Sequence, residues 1–167
     1  MSLAYTIAQK FVSLPPEIAT MLLAMVPVAE LRGAIPIGRT LYQLPVVSAY
    51  IWAVIGNMLP VYFILTWFDP IATWLRKVSP LADKFFTWLF ERTRRKLEKN
   101  VEKYGVFALA LFVAIPLPAT GAWTGSLAAS LFGLSKKKAF ISILIGVLVA
   151  GVLISMLTAG GLAALGK

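Results

Sequence analysis

The chain has 167 residues, of which 59% are hydrophobic and 14% charged, and its mean hydropathy is +0.83. A soluble domain of this size has about 45–50% apolar and about 25% charged residues, so the composition indicates a protein that lies in lipid. The absence of cysteine and histidine excludes disulfides and soft metal sites, and we predict neither a metal nor a cofactor. The formal charge of +9 does not indicate nucleic-acid binding, because twelve of the sixteen basic residues flank apolar segments.

Residues 1–16 predict an amphipathic helix on a membrane surface, because apolar side chains recur every four residues. The next apolar run has only 12 residues before Glu30, which is about 18 Å of helix, roughly half the depth of a bilayer. Irregular backbone at that depth is tolerated only where protein buries it or a cavity hydrates it. We therefore predict a re-entrant helical hairpin over residues 17–45, in which residues 30–36 form the turn and residues 37–44 return.

Two further apolar segments complete the predicted architecture. Val46–Phe68 carries no charge and predicts a full membrane span, which ends a first unit over residues 17–68. Gly105–Ser135 is also uncharged, but its 31 residues would make a straight helix of about 46 Å, too long for a simple span. Prolines and glycines at its centre predict a second re-entrant hairpin over residues 105–135, and a second span follows over residues 139–165, in a unit that ends at residue 166.

The two units resemble each other in sequence. A shift of 90 residues lays Leu41–Gly56 on Leu131–Gly146 with six of sixteen positions identical, and Tyr42 then matches Phe132. A unit of one hairpin and one span begins and ends on opposite sides of the membrane, so a second copy must be inverted. The predicted fold class is therefore an all-α integral membrane protein of one membrane domain, with two inverted-topology repeats joined by a basic amphipathic connector over residues 69–104.

The basic residues predict the orientation of the chain. The connector holds nine Lys/Arg and five Asp/Glu, and Lys136–Lys138 add three more basic residues on the same predicted side. The positive-inside rule makes that side cytoplasmic and leaves both termini outside. Apolar residues from Trp74 to Trp88 recur at helical spacing with cations between them, so we expect this helix to contact anionic lipid headgroups. Small-residue faces also allow a homo-oligomer.

Glu30, Arg32 and Arg39 are the only charges predicted to lie inside the membrane, and such groups are functional candidates by default. A carboxylate can carry a proton or bind a cation, and a guanidinium can bind phosphate bidentately. The alternative for Glu30 and Arg32 is a structural ion pair that closes the tip, and Arg39 can instead extend to the membrane surface. Asn57, in the middle of the first span, is expected to form a hydrogen bond between helices.

The second predicted tip offers Thr120, Trp123 and Thr124 near the N-terminus of a half-length helix, whose free N–H groups favour anions. We predict that these three residues line a substrate or ion site together with the charges of the first tip. A set of prolines and glycines is expected to break the helices or allow them to pack closely: Pro27, Gly33, Pro36, Pro116, Pro118, Gly121 and Gly125.

Glu30-Leu-Arg-Gly-Ala-Ile-Pro36 and Pro116-Leu-Pro-Ala-Thr-Gly-Ala-Trp-Thr-Gly125 resemble the tip motifs of the small multidrug export proteins. These form a prokaryotic membrane family related to the DedA/VTT superfamily, and the resemblance covers nearly the whole chain. It implies a multi-pass protein of the prokaryotic inner membrane with paired re-entrant hairpins, in a superfamily of which several members move polyprenyl phosphate or phospholipids. The chain departs from DedA members proper because its second tip has no arginine.

Together these features predict a transporter that moves a phosphate-bearing lipid or a small ion by alternating access at the two tips, with proton coupling through Glu30. One alternative is a small cationic drug exporter, although that type has four full spans and only two segments here are clean spans. Another is a scaffold that organises lipids through the connector without transport. We expect no enzyme and no catalytic residues, because Glu17 and Glu30 are the only acids outside the connector.

Overall fold

A computed structural model describes residues 3–81, 83–88, 101–115 and 120–164 of the chain, without the side chains of residues 101–104. This part of the chain forms eight helices and no strands, which confirms the all-helical prediction. The helices are α1 (Leu3–Gln9), α2 (Pro16–Met25), α3 (Glu30–Thr40), α4 (Val46–Val78), α5 (residues 80, 81 and 83–88), α6 (Val101–Ala114), α7 (Ala122–Leu131) and α8 (Lys136–Ala164).

Two of these helices, α4 with 33 residues and α8 with 29, are long and apolar enough to cross a membrane. Only 39% of the most apolar stretch of each is buried against other helices. The remaining face carries exposed apolar side chains, among them Ile145, Val152 and Met156 on α8. A contiguous apolar surface of this kind is unfavourable in water. The outer faces of both helices are therefore suited to lipid.

The two long helices run antiparallel and are joined by polar contacts. The Tyr50 hydroxyl donates to the carbonyl of Leu148 at 3.3 Å, and Lys136 Nζ donates to the carbonyl of Thr66 at 3.3 Å. Pro70 has no N–H and therefore leaves the carbonyl of Thr66, four residues earlier, without its helical partner. The lysine binds an acceptor that the proline has freed, which fixes the N-terminal end of α8 beside α4.

Helices α2 and α3 form a short hairpin of 10 and 11 residues. Gly38, near the end of α3, lies so close to Thr20 of α2 that an added Cβ would be 2.9 Å from the threonine hydroxyl. The helices are therefore antiparallel, and each is only about 15–17 Å long. The chain between them is not helical, so the region is not one continuous crossing helix.

The turn of this hairpin lies earlier than the sequence predicts. It comprises residues 26–29, and the predicted turn at residues 30–36 is wrong, because those residues are in α3. Helical backbone is disfavoured for the residue before a proline, and Val26, which precedes Pro27, is extended, with φ −78° and ψ 128°. Pro27 therefore separates the two helices, whereas Pro36 is accommodated inside α3.

Helices α6 and α7 form the second hairpin and contact each other at Gly125. Gly125 of α7 faces Val113 and Leu109 of α6, and an added Cβ there would lie 2.8 Å from a Val113 methyl group. Pro116 and Pro118, predicted to break this hairpin, lie outside the described residues.

Each hairpin packs closely on the long helix that follows it. Gly56 of α4 lies against the backbone carbonyl of Met21 in α2, where an added Cβ would overlap that carbonyl. Gly146 of α8 lies against α6, where an added Cβ would be 2.6 Å from the carbonyl of Ala110. Both approaches require a residue without a side chain. The two glycines are 90 residues apart, the same shift that aligns the two units in sequence.

The N-terminal helix α1 is shorter than predicted and packs on the first hairpin. Its Ala4 and Ala8 are buried, and the buried Tyr42 hydroxyl donates to the carbonyl of Ala8 at 2.8 Å.

The predicted connector is described only in part. Arg76, near the C-terminal end of α4, forms an ion pair with Asp83 of α5 at 2.8 Å. The cluster of basic residues at 92–96 lies outside the described residues.

Candidate functional site

The tips of the two hairpins contact each other through Trp123, the second residue of α7. Its indole N–H donates to the carbonyl of Met25, the last residue of α2, at 3.1 Å. Its backbone N–H donates to Oε1 of Glu30 at 3.3 Å. The N-terminus of α7 therefore lies directly against the turn between α2 and α3.

The carboxylate of Glu30 takes the place of the capping side chain that α7 lacks. Gly121, at the N-cap position, has no side chain to bond the free N–H groups of the first helical turn. The Glu30 carboxylate bonds the N–H of Trp123 and also faces the N–H of Ala122. A Cβ on Gly121 would overlap this carboxylate. A negative charge at a helix N-terminus is stabilised by the helix dipole, so one hairpin caps the other.

Glu30 has an unusual backbone conformation that brings its side chain to Arg32. Its φ of 43° lies in the left-handed region, which costs about 1–3 kcal/mol for a residue with a side chain. On a regular helix, residues two apart point to different sides, but here Arg32 Nη2 lies 3.8 Å from Glu30 Oε2. The glutamate is only 4% exposed. The strained backbone therefore belongs to the residue that joins the two tips.

A small cavity lies beside this contact, with room for one water molecule at most. Its polar wall comprises Glu30, Arg32, Asn57 and Thr120, and the rest is lined by glycine and apolar side chains. Asn57 is 1% exposed, and its Oδ1 atom has no hydrogen-bond partner. The cavity is thus a small, partly open polar site in an apolar core, too small for an organic cargo.

The cavity lies at the middle of α8 and at the middle of the uncharged stretch of α4. Ala150, on its wall, is 14 residues from each end of α8 (150 − 136 = 14 and 164 − 150 = 14), or about 21 Å along the axis. Asn57 is 11 residues from each end of the uncharged stretch of α4 (57 − 46 = 11 and 68 − 57 = 11). If these helices cross a membrane, the Glu30 carboxylate lies near its midplane.

The other predicted site residues are only partly brought together. Thr120 lines the cavity, and its hydroxyl donates to the carbonyl of Ile115 at 2.8 Å. Trp123 lies at the contact between the tips, and Thr124 is exposed rather than directed into the cavity. Arg39 lies at the opposite end of α3, where its guanidinium donates to the carbonyl of Leu44 at 3.4 Å.

Two further residues predicted for the first tip, Pro27 and Gly33, do not line the cavity. Pro27 is exposed in the first turn, and Gly33 packs against Ala29 and Ala4. Within the residues that the structure describes, no group of three or more acidic side chains is suited to hold a metal ion. The chemistry of the site therefore comes from one carboxylate, one guanidinium, one amide and the N–H groups of α7.

Comparison with known proteins identifies one family. The model of the family described as "Putative small multi-drug export protein" matches residues 30–153. The match begins at Glu30 and includes Asn57 and the N-terminus of α7, so it contains the polar side chains of the candidate site. None of the curated proteins and none of the solved structures matches the chain significantly. These comparisons do not show the relationship to the DedA/VTT superfamily that the tip motifs suggest.

Proposed function

The chain belongs to the small multi-drug export protein family, whose model covers well over half of its length, and on this premise we propose that it is a membrane transporter. In this proposal, α4 and α8 are the membrane spans and the two hairpins are re-entrant, in units of opposite orientation. The antiparallel direction of the spans, the half-length helices and the matching contacts at Gly56 and Gly146 support it. Cargo passes where the two tips meet, and access alternates as they separate.

The observation that carries the proposal is the buried Glu30 carboxylate at the N-terminus of α7. The N–H groups of α7 and the nearby Arg32 form a cradle for an anion, and the carboxylate of the chain itself fills this cradle. An anionic group on a cargo, such as the phosphate of a lipid or a small anion, competes for the same donors. The closed tips are then one state, and the cargo-bound tips are the other.

Protonation of Glu30 supplies a way to drive this exchange. A neutral carboxyl loses its attraction to Arg32 and its charge-assisted hydrogen bond to α7. Such a hydrogen bond contributes about 1.5–3 kcal/mol, and about 1.4 kcal/mol changes a two-state equilibrium tenfold. A proton on Glu30 therefore weakens the contact between the tips and leaves the anion cradle free. The Glu30 carboxylate and the anionic cargo thus compete for the same donors. Because a proton removes the carboxylate from this competition, transport of the cargo is coupled to protons.

The description of the family favours a second candidate, export of a cationic drug with Glu30 as its counter-ion. A single buried carboxylate suits that role. However, Arg32 lies 3.8 Å from the carboxylate and the N-terminus of α7 adds partial positive charge. Because both features repel a cation, we favour the anionic cargo.

The test is transport by the purified protein in lipid vesicles, measured with a fluorescent anionic phospholipid and, separately, with the cationic dye ethidium. We expect the phospholipid to cross the membrane. The Glu30→Gln variant, which keeps the size of the side chain, should transport it about tenfold more slowly or worse. Glu17→Gln, in the first turn of α2, is the matched control and should retain the wild-type rate.

The other candidates give different results in the same assay. Movement of ethidium alone, lost in Glu30→Gln, would replace the anionic cargo with a cationic drug. Movement of neither probe, together with vesicle binding that depends on anionic lipid, would support the scaffold.

We also propose that the connector lies at the cytoplasmic headgroup level of a prokaryotic inner membrane, where it binds anionic lipids. Exposed aromatic side chains of α4 and α5, including Trp74, Phe85 and Trp88, support this position, because such side chains favour the membrane–water boundary. The basic side chains Lys77 and Lys84 are exposed on the same two helices. Neutralising both should weaken binding to anionic vesicles without changing the selectivity of transport.

A further inference from the structure

The carbonyl oxygen of Asn57 is a buried hydrogen-bond acceptor that the proposed function leaves unused. The residue is 1% exposed, and its Oδ1 atom has no donor. Buried polar groups are almost always bonded, and each exception calls for an explanation. From the sequence we expect Asn57 to form a hydrogen bond between helices. Its Oδ1 atom has no such partner.

The small cavity shows which donors are within reach. Among the described residues, α3 contributes Glu30 and Arg32 to its wall, and these are its only charged or titratable side chains. The rest of the wall is apolar, apart from Asn57 itself and Thr120, which precedes α7 and whose hydroxyl already donates to the carbonyl of Ile115. An ionised carboxylate can only accept hydrogen bonds, but a protonated carboxyl has one O–H to donate.

We propose that Asn57 is a positioning residue for the proton of Glu30: its Oδ1 atom accepts the hydrogen bond of the protonated carboxyl, directly or through one water molecule in the cavity. The inference rests on the proposed role of Glu30 and adds a destination for its proton. Ionised Glu30 is held by the N–H groups of α7 and by Arg32, whereas protonated Glu30 is held by α4. Protonation therefore transfers the side chain from the opposite hairpin to the first span.

The experiment is an infrared pH titration of the purified protein in lipid, which needs no cargo. The C=O band of protonated Glu30 is identified as the band that Glu30→Gln lacks. In Asn57→Leu, which has similar size and no acceptor, the protonated form loses its hydrogen bond. We expect the midpoint of protonation to fall by about one pH unit, a tenfold lower proton affinity, and the C=O band to move to higher frequency.

Two further variants separate the acceptor from the size of the side chain. Asn57→Ser keeps an acceptor oxygen and should keep a midpoint near that of the wild type. Ser155→Ala removes the other buried oxygen without a partner in the described residues, on α8 and outside the cavity wall, and should change neither midpoint nor band. If Asn57→Leu does not fold, Asn57→Val provides the same comparison with a smaller side chain.

An unchanged or higher midpoint in the apolar variants would overturn the inference, because Asn57 would then be neutral or would stabilise the ionised form. Equal shifts in Asn57→Leu and Asn57→Ser would also overturn it, since the size of the residue and not its oxygen would be responsible. If wild-type Glu30 shows no titration at all, the proton-coupled function fails as well. A normal titration that is insensitive to Asn57 removes only the inference.

Discussion

The two three-helix units, α2–α4 and α6–α8, share their packing but differ in their chemistry. Each has two shorter helices followed by a long one, and each places a glycine of the long helix against the first shorter helix, at Gly56 and at Gly146. At the tips the resemblance ends. The first tip presents the side chains of Glu30 and Arg32, while the second presents Gly121 and the N–H groups of α7.

This difference shows how a buried charge can be held in an apolar fold. A carboxylate in each tip would bring two like charges together in a medium of low dielectric constant. Backbone N–H groups carry no net charge, do not depend on rotamers and stabilise the one carboxylate that is present. The shared packing thus brings the tips together, and the differences between them make the contact favourable.

The largest expected effect tests the shared packing. Gly56→Ala and Gly146→Ala each place a methyl group against a backbone carbonyl, which cannot move aside as a side chain can. We expect each to lower the free energy of unfolding by about 3 kcal/mol, at the upper end of the range for overpacking, in thermal or denaturant unfolding of the protein in detergent.

Gly160→Ala is the control for this pair, because nothing lies within 4 Å of its added Cβ. It should be neutral or stabilise the helix by up to about 1 kcal/mol. A large loss at Gly56 with none at Gly146 would mean that the units do not share this contact, and the comparison between them would fail.

A smaller effect tests the contact between the tips. Gly121→Ala displaces the Glu30 carboxylate from the N-terminus of α7, and we expect a loss of about 2 kcal/mol of stability, the size of a charge-assisted hydrogen bond, together with loss of transport. Gly133→Ala is a control for a substitution at a positive φ, because Gly133 has a φ of 65° and open space around it.

The control should cost about 1 kcal/mol, for backbone strain alone, and leave transport intact. Equal effects of the two substitutions on both measurements would show that backbone conformation, not the Glu30 contact, determines the role of Gly121.

The sequence predicts that the first apolar helix breaks to form a hairpin, but it does not predict where the turn lies. The apolar run before Glu30 is too short to cross a bilayer, so a break is required, and α2 does end at Met25. Two prolines compete for the turn, and nothing local decides that Pro27 forms it while Pro36 stays helical. That outcome depends on packing against other helices, which a reading of local sequence does not contain.

The candidate site is predictable in its residues but not in its contacts. Glu30 and Arg32 stand out because an embedded charge is rare. The bond from Trp123 to Glu30 joins residues 93 apart in sequence, and it uses a backbone N–H, which no residue type reveals. The same holds for Asn57, whose lack of a partner becomes visible only when the surrounding helices are in place.

The smallest expected effect concerns the aromatic pair Tyr42 and Phe132, which occupy equivalent positions under the 90-residue shift. Tyr42→Phe gives the first unit the residue of the second and removes the buried hydrogen bond to Ala8 that fixes α1. We expect a loss of about 1 kcal/mol and faster hydrogen exchange in α1, because this hydroxyl is a buried polar link between α1 and the first hairpin. The reverse substitution, Phe132→Tyr, adds a hydroxyl to a side chain that is 37% exposed and should be neutral. If Tyr42→Phe left the exchange of α1 unchanged, other contacts of α1, such as those of the buried Ala4 and Ala8, would hold that helix.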